Sequence, residues 1–118
     1  MYGEGPKGET MKIAVACQDG KQISDNLYTT DTYRLYKVEN GYPIYQGEVR
    51  TRSVDYEALG RLLSGLDVET LLCGGISKTA SILLAESVIM VYPGLQGDAD
   101  AQIQAFLDGE LIYHPRND

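Results

Sequence analysis

Beyond its first ten residues the chain alternates short unbroken apolar runs with stretches in which leucine, isoleucine and alanine recur at helical spacing. Ile13-Ala14-Val15-Ala16-Cys17 is the first run, and its continuity predicts a strand covered on both faces. Gln18-Asp19-Gly20-Lys21 ends it with turn chemistry, and a polar loop is expected through Thr32. Tyr33 to Val38 and Ile44 to Arg50 are rich in β-formers and mix polar with apolar residues, which places both strands toward a sheet edge. Between them, Glu39-Asn40-Gly41-Tyr42 predicts a hairpin, because Asn and Gly tolerate positive φ. Pro43 has no amide donor, so the second strand is expected from Ile44 onward.

Ser53 is placed to cap a helix whose stripe is Leu59, Leu62, Leu63 and Leu66, with Asp55 near its positive end. Glu69 to Cys73 reads as a strand, and Gly74-Gly75-Ile76-Ser77 turns the chain into a helix capped by Ser77. That helix is expected to bury Ala80, Leu83, Leu84 and Ser87. Val88 to Tyr92 reads as a buried strand stopped by Pro93-Gly94. Gly97-Asp98 starts a last helix with Ala99, Ile103, Phe106 and Leu107 on one face, ended by Gly109. Strands separated by helices run parallel through right-handed crossovers, and the hairpin adds an antiparallel strand. The expected fold is α/β, a mixed five-stranded sheet with one antiparallel strand and helices on both faces. Residues 1–10 read as a disordered extension or tag, 11–112 as a single α/β domain and 113–118 as a C-terminal tail.

Charge narrows the function. Ten Lys and Arg against seventeen Asp and Glu give −7, with no basic cluster, which argues against nucleic acid as a partner. No apolar run spans a membrane and the first ten residues carry no secretion signal, so a cytoplasmic protein is expected. The single histidine, His114, leaves no multi-histidine site and reads as solvated.

Gly74-Gly75-Ile76-Ser77-Lys78 combines a glycine turn with a helix start, where open amides attract anions; equally, the glycines serve only the turn. Cys17 and Cys73 each close a predicted strand, at the end of the sheet where α/β ligands bind. On adjacent strands, about 4.8 Å apart, their thiolates would hold a soft metal or part of a cluster. The alternative is that both fill space in the core. Asp19, Asp25 and Asp31 raise a two-metal nuclease, but the first strand carries Ala and Cys where such a site wants acids.

A series of motifs begins with Met11-Lys12-Ile13-Ala14-Val15-Ala16, Asp19-Gly20-Lys21 and Ile23-Ser24. It continues at Leu72-Cys73-Gly74-Gly75-Ile76, at Val91-Tyr92 with Gly94 and Gly97, and at Phe106-Leu107-Asp108-Gly109-Glu110-Leu111. In order and spacing these motifs resemble the dinitrogenase iron–molybdenum cofactor biosynthesis family. The resemblance implies a ribonuclease-H-like sheet of order 3-2-1-4-5, in which the strands ending at Cys17 and Cys73 are parallel neighbours. It also implies small proteins, associated with nitrogen fixation, that bind or carry the iron–molybdenum cofactor or its precursor clusters without turnover. The family's loop commonly reads Ser-x-His-Phe-Gly; here it is Ser24-Asp25-Asn26-Leu27-Tyr28, and Asn26 stands where an imidazole would ligate iron.

The leading expectation is therefore a non-enzymatic carrier of an iron–molybdenum or iron–sulfur cluster, with cluster donor and acceptor proteins as partners. Cys17 and Cys73 would ligate metal, the amides of Gly74, Gly75 and Ile76 would face the anionic cargo beside Asn26, and a flexible Asp19–Thr32 loop would close over it. The alternatives are a metal-free interaction or regulatory module and, last, a divalent-metal phosphodiesterase.

Overall fold

The computed structural model describes residues 10–51 and 55–114. Chain order is β1 (Thr10–Gln18), β2 (Gln22–Ile23), a 3-10 turn (Leu27–Thr29), β3 (Thr32–Glu39), β4 (Tyr42–Arg50) and α1 (Tyr56–Gly65). Then come β5 (Thr70–Leu72), α2 (Lys78–Glu86), β6 (Met90–Tyr92) and α3 (Ala99–Leu107). Together they build one open mixed sheet in the order β4-β3-β1-β5-β6, with β2 paired to β1. β5 lies parallel to β1, and β6 to β5, while β2 and β3 run against β1.

The sheet thus has six strands, and two of them oppose β1, where five strands and one opposing strand are expected from the sequence. The extra strand comes from the Asp19-Gly20 turn. Both residues take positive φ, 53° and 81°, which folds the chain straight back so that Ile23 pairs with Cys17. β4 also begins earlier than expected, at Tyr42, with Pro43 paired opposite Val38; an edge strand tolerates a proline. The β3–β4 hairpin turns at Asn40-Gly41, both at positive φ, as the sequence predicts.

β1 is buried on both faces, residues 13–17 being fully inaccessible. Ala14 and Ala16 face α1 and α2 through Leu59, Leu63, Ala80 and Leu84, whereas Ile13 and Val15 face α3 through Ala99 and Ile103. The three helices are capped by Asp55, Ser77 and Asp98, whose side chains accept from Ala58, Ala80 and Ala101 amides. Ser53, the cap expected for α1, lies outside the described residues, as do residues 1–9. Thr10 already pairs with Glu39, so the first strand includes the residue before Met11. In α1, Leu59 and Leu63 are buried, but Leu62 is exposed. Val88, expected to open a buried strand, instead lies exposed in the turn after α2, and Met90 is exposed on β6, the last strand of the sheet.

A polar clasp ties α3 to the sheet. The Tyr36 hydroxyl and the Lys21 ammonium both donate to Asp100, while Arg34 Nε donates to the Tyr36 oxygen at 2.9 Å and its guanidinium lies 4.1 Å over the Tyr45 ring. These contacts, the Tyr36 bond first, hold the Asp100 carboxyl below its ordinary value of 3.8. Their stabilisation is complete above the unfolded-state value and is lost as pH falls through the lowered folded one. Asp100→Asn should therefore cost about 0.5–1 kcal/mol at neutral pH, a small amount because the carboxylate is half exposed. Urea midpoints of the two proteins should draw together as pH falls below the unfolded-state carboxyl value and through the lowered folded one.

Candidate functional site

The carboxyl ends of β1 and β5 are adjacent, with Val15 opposite Leu72, and the segments leaving them are bolted together. Gly75 donates its amide to the Asp25 carbonyl at 2.8 Å, and Leu27 donates to the Gly75 carbonyl at 2.8 Å. Gly94 donates to the Gly74 carbonyl at 2.9 Å, joining the end of β6 to the same knot. Gly74 has no room for a side chain: a Cβ would land on the Ser24 carbonyl oxygen and within 2.8 Å of the Asp25 oxygen.

The chain after β2 is built into a wall rather than left as a flexible lid. Ser24 is fully buried, and its hydroxyl donates to the Asn26 carbonyl at 2.9 Å. The Thr29 hydroxyl, the Thr30 hydroxyl and the Thr29 amide converge on that same carbonyl at 3.0–3.2 Å. Asn26 Oδ1 accepts from the Tyr28 amide at 2.8 Å and caps the 3-10 turn, which leaves its Nδ2 as a donor beside Gly75. Asn26, Gly74, Gly75 and Ile76 are thus brought together.

They border a hollow of about 570 Å³ lined by Asn26, Tyr28, Thr29, Tyr56, Ile76 and Ser77. Among the described residues no carboxylate lines it, although the chain carries −7 overall. The Gly75 amide is already engaged, so the open donors lie one step further along. The amides of Ile76, Ser77, Lys78 and Thr79 have no acceptor among the described residues, and the positive end of the α2 dipole stands behind them. Sequence reasoning assigned Ser77 only to capping and the tyrosines to packing. Tyr28 and Tyr56 are far apart in the chain, and only the tertiary fold brings them to one wall.

The two thiols do not converge. Val15 and Leu72 share the α3 side; Cys17, two residues beyond Val15, stays on that side, whereas Cys73, one residue beyond Leu72, turns to the α1–α2 side. Both are fully inaccessible. Burial pushes each thiol up to about 12, an effect the Arg34 guanidinium only partly opposes at Cys17. The expected ligand pair is thus found as two buried side chains in separate core clusters on opposite faces of the sheet. Among the described residues no three His, Cys, Asp or Glu side chains are grouped to hold a metal ion, which also removes structural support for a two-metal phosphodiesterase.

A model of the dinitrogenase iron–molybdenum cofactor family matches residues 9–109. The chain belongs to that family. A search of curated proteins finds no significant match. Among solved structures, this family member superposes on PH0822 with a TM-score of 0.78 at 19% identity, covering 87% of this chain and 94% of that one. It superposes on a putative dinitrogenase from Methanocaldococcus jannaschii with a TM-score of 0.68 at 18% identity, covering 92% and 98%. The apo form of the orange protein from Desulfovibrio gigas gives a TM-score of 0.70 at 18% identity, covering 88% and 92%. At such identities the likeness establishes the shared fold. The family's name associates it with the iron–molybdenum cofactor. Direct ligation of iron does not fit this mouth, because no cysteine or histidine is among its described lining residues. A surface of amide and hydroxyl donors fits an anion.

Proposed function

We propose that this family member is a non-enzymatic accessory protein that holds an anionic iron–molybdenum or related metal–sulfur species as cargo in the hollow between the Asn26–Thr29 wall and the start of α2. The observation that carries the reading is the pair of open amides at Ile76 and Ser77, on the border of a hollow with no carboxylate among its described lining residues in an acidic chain. Hydrogen bonds to a charged acceptor are about twice as strong as neutral ones, so such a pair favours an anion over water. Asn26 Nδ2, the Ser77 hydroxyl and the Tyr28 and Tyr56 side chains supply the rest of the contact surface. Metal ligation would be completed by the cargo's own ligands, because the protein brings none to the mouth. Cluster donor and acceptor proteins are the partners this role requires.

Protein isolated anaerobically from cells supplied with molybdate is expected to carry metal and acid-labile sulfide in stoichiometric amounts. A second reading, a metal-free interaction module, draws on Tyr42, Ile44 and Tyr45, which stand exposed on the edge strand β4. Colourless, metal-free protein recovered with one stoichiometric protein partner would decide for that reading instead.

A further inference from the structure

After α3 the chain returns to the end of β6. Leu111 packs partly buried against the α3-side core, and the Tyr113 ring meets Tyr92 edge-on at 4.9 Å, with Phe106 on Tyr92 at 5.3 Å. The His114 amide donates to the Pro93 carbonyl at 2.9 Å. Gly94, at φ +82°, makes the notch for it, since a Cβ there would lie 2.7 Å from His114 Cβ. Tyr113 and His114 are therefore not the start of a free tail, although the His114 side chain is exposed as the sequence predicts. The remainder, residues 115–118, lies outside the described residues.

At His114 this segment takes the edge position beside Pro93, just past the end of β6, where a neighbouring strand would continue. β6 bonds to β5 through the Met90 amide, given to Glu69, and the Tyr92 carbonyl, which accepts from Cys73. Strand alternation then turns the N–H and C=O of Val91 outward, where no described residue meets them. Around this open edge Met90 is 61% and Val88 84% exposed. Val88 also holds φ 61°, a conformation that is rare for a β-branched residue. No charged side chain lies on β6, so the edge has none of the charges with which sheets discourage pairing.

We infer that Leu111–His114 is an edge guard that keeps β6 from pairing with β6 of a second copy of the chain. An identical strand, laid antiparallel about a two-fold axis through Val91, satisfies both outward groups of Val91 reciprocally. It sets Met90 opposite Tyr92 across the axis, so the −7 of each chain places no like charges in register. The same arrangement brings Ile89 of the second copy alongside Pro93, into the place His114 occupies. Guard and second copy are therefore mutually exclusive, and the guarded chain is monomeric.

Sedimentation velocity from micromolar to submillimolar concentration tests this on three proteins. The parent chain should remain monomeric. Leu111→Ser with Tyr113→Ser, which removes the guard's two anchors, should dimerise, and its Val91 amide should exchange about ten-fold more slowly in the dimer. Adding Met90→Lys should return that variant to a monomer by putting like charges on the paired edge. A guard-free variant that keeps its near-ultraviolet circular dichroism and stays monomeric overturns the inference. So does association that Met90→Lys fails to reverse, which would mark misfolding rather than edge pairing.

Discussion

Gly74→Ala is expected to lower stability by about 3 kcal/mol, the upper range for forcing one extra carbon into a packed site. The added methyl meets the Ser24 carbonyl oxygen, the Asp25 oxygen and the Asp25 carbonyl carbon, all backbone atoms with no rotamer to yield. Relief requires the wall to move away from β5. That movement breaks the paired bonds Gly75 to Asp25 and Leu27 to Gly75, each 2.8 Å, and leaves the amide of the buried Leu27 without its acceptor. The neighbouring Gly75→Ala is the control. Its Cβ would lie 3.2 Å from the Asp25 oxygen and 3.3 Å from Asn26 Nδ2, a side chain that is able to turn aside. Urea unfolding followed by circular dichroism should rank parent, Gly75→Ala and Gly74→Ala in that order. A Gly74→Ala loss no greater than that of Gly75→Ala would mean that the wall is not bolted where the hydrogen bonds place it.

Ser77→Asp should separate stability from binding. Asp caps a helix as well as Ser does, and a carboxylate at the positive end of α2 is favourable, so the melting temperature should hold or rise slightly. The same carboxylate enters the hollow beside the open amides and repels an anion. Retention of metal after anaerobic incubation with iron, molybdate and sulfide should fall about 10- to 100-fold in apparent affinity, the scale of one like charge a few ångströms away at intermediate dielectric. Ser77→Thr, which caps without charge, should bind as the parent does. Equal retention by Ser77→Asp and Ser77→Thr would remove the anion reading of the mouth.

These two variants probe features of unequal legibility. The Ser77 cap, the start of the last helix at Gly97-Asp98, the Asn40-Gly41 hairpin and the doubly buried β1 are written in local chemistry and occur where the residues predict them. The facing of the thiols is not. Ile13–Cys17 is apolar at every position and Leu71–Cys73 likewise, so neither carries the alternation that reveals which side chain turns to which face. Only the pairing of Val15 with Leu72, set by the crossover through α1, puts Cys17 and Cys73 on opposite sides. The hollow was half legible. Asn26, Gly74, Gly75 and Ile76 stand out as a loop and a glycine turn, whereas Tyr28 and Tyr56 join them through packing that no local pattern encodes. The second strand was also signalled, since Asp19-Gly20 is as strong a hairpin dipeptide as Asn40-Gly41.

The claim beneath the rest is that cargo is held by the backbone at the start of α2 and not by sulfur from the protein. Cys17→Ala combined with Cys73→Ala tests it most directly, once a cooperative melt shows that the core has tolerated the two small cavities. After anaerobic reconstitution with iron, molybdate and sulfide, the double variant should retain as much metal per chain as the parent. A folded double variant that retains none, beside a parent that is loaded, would contradict the account.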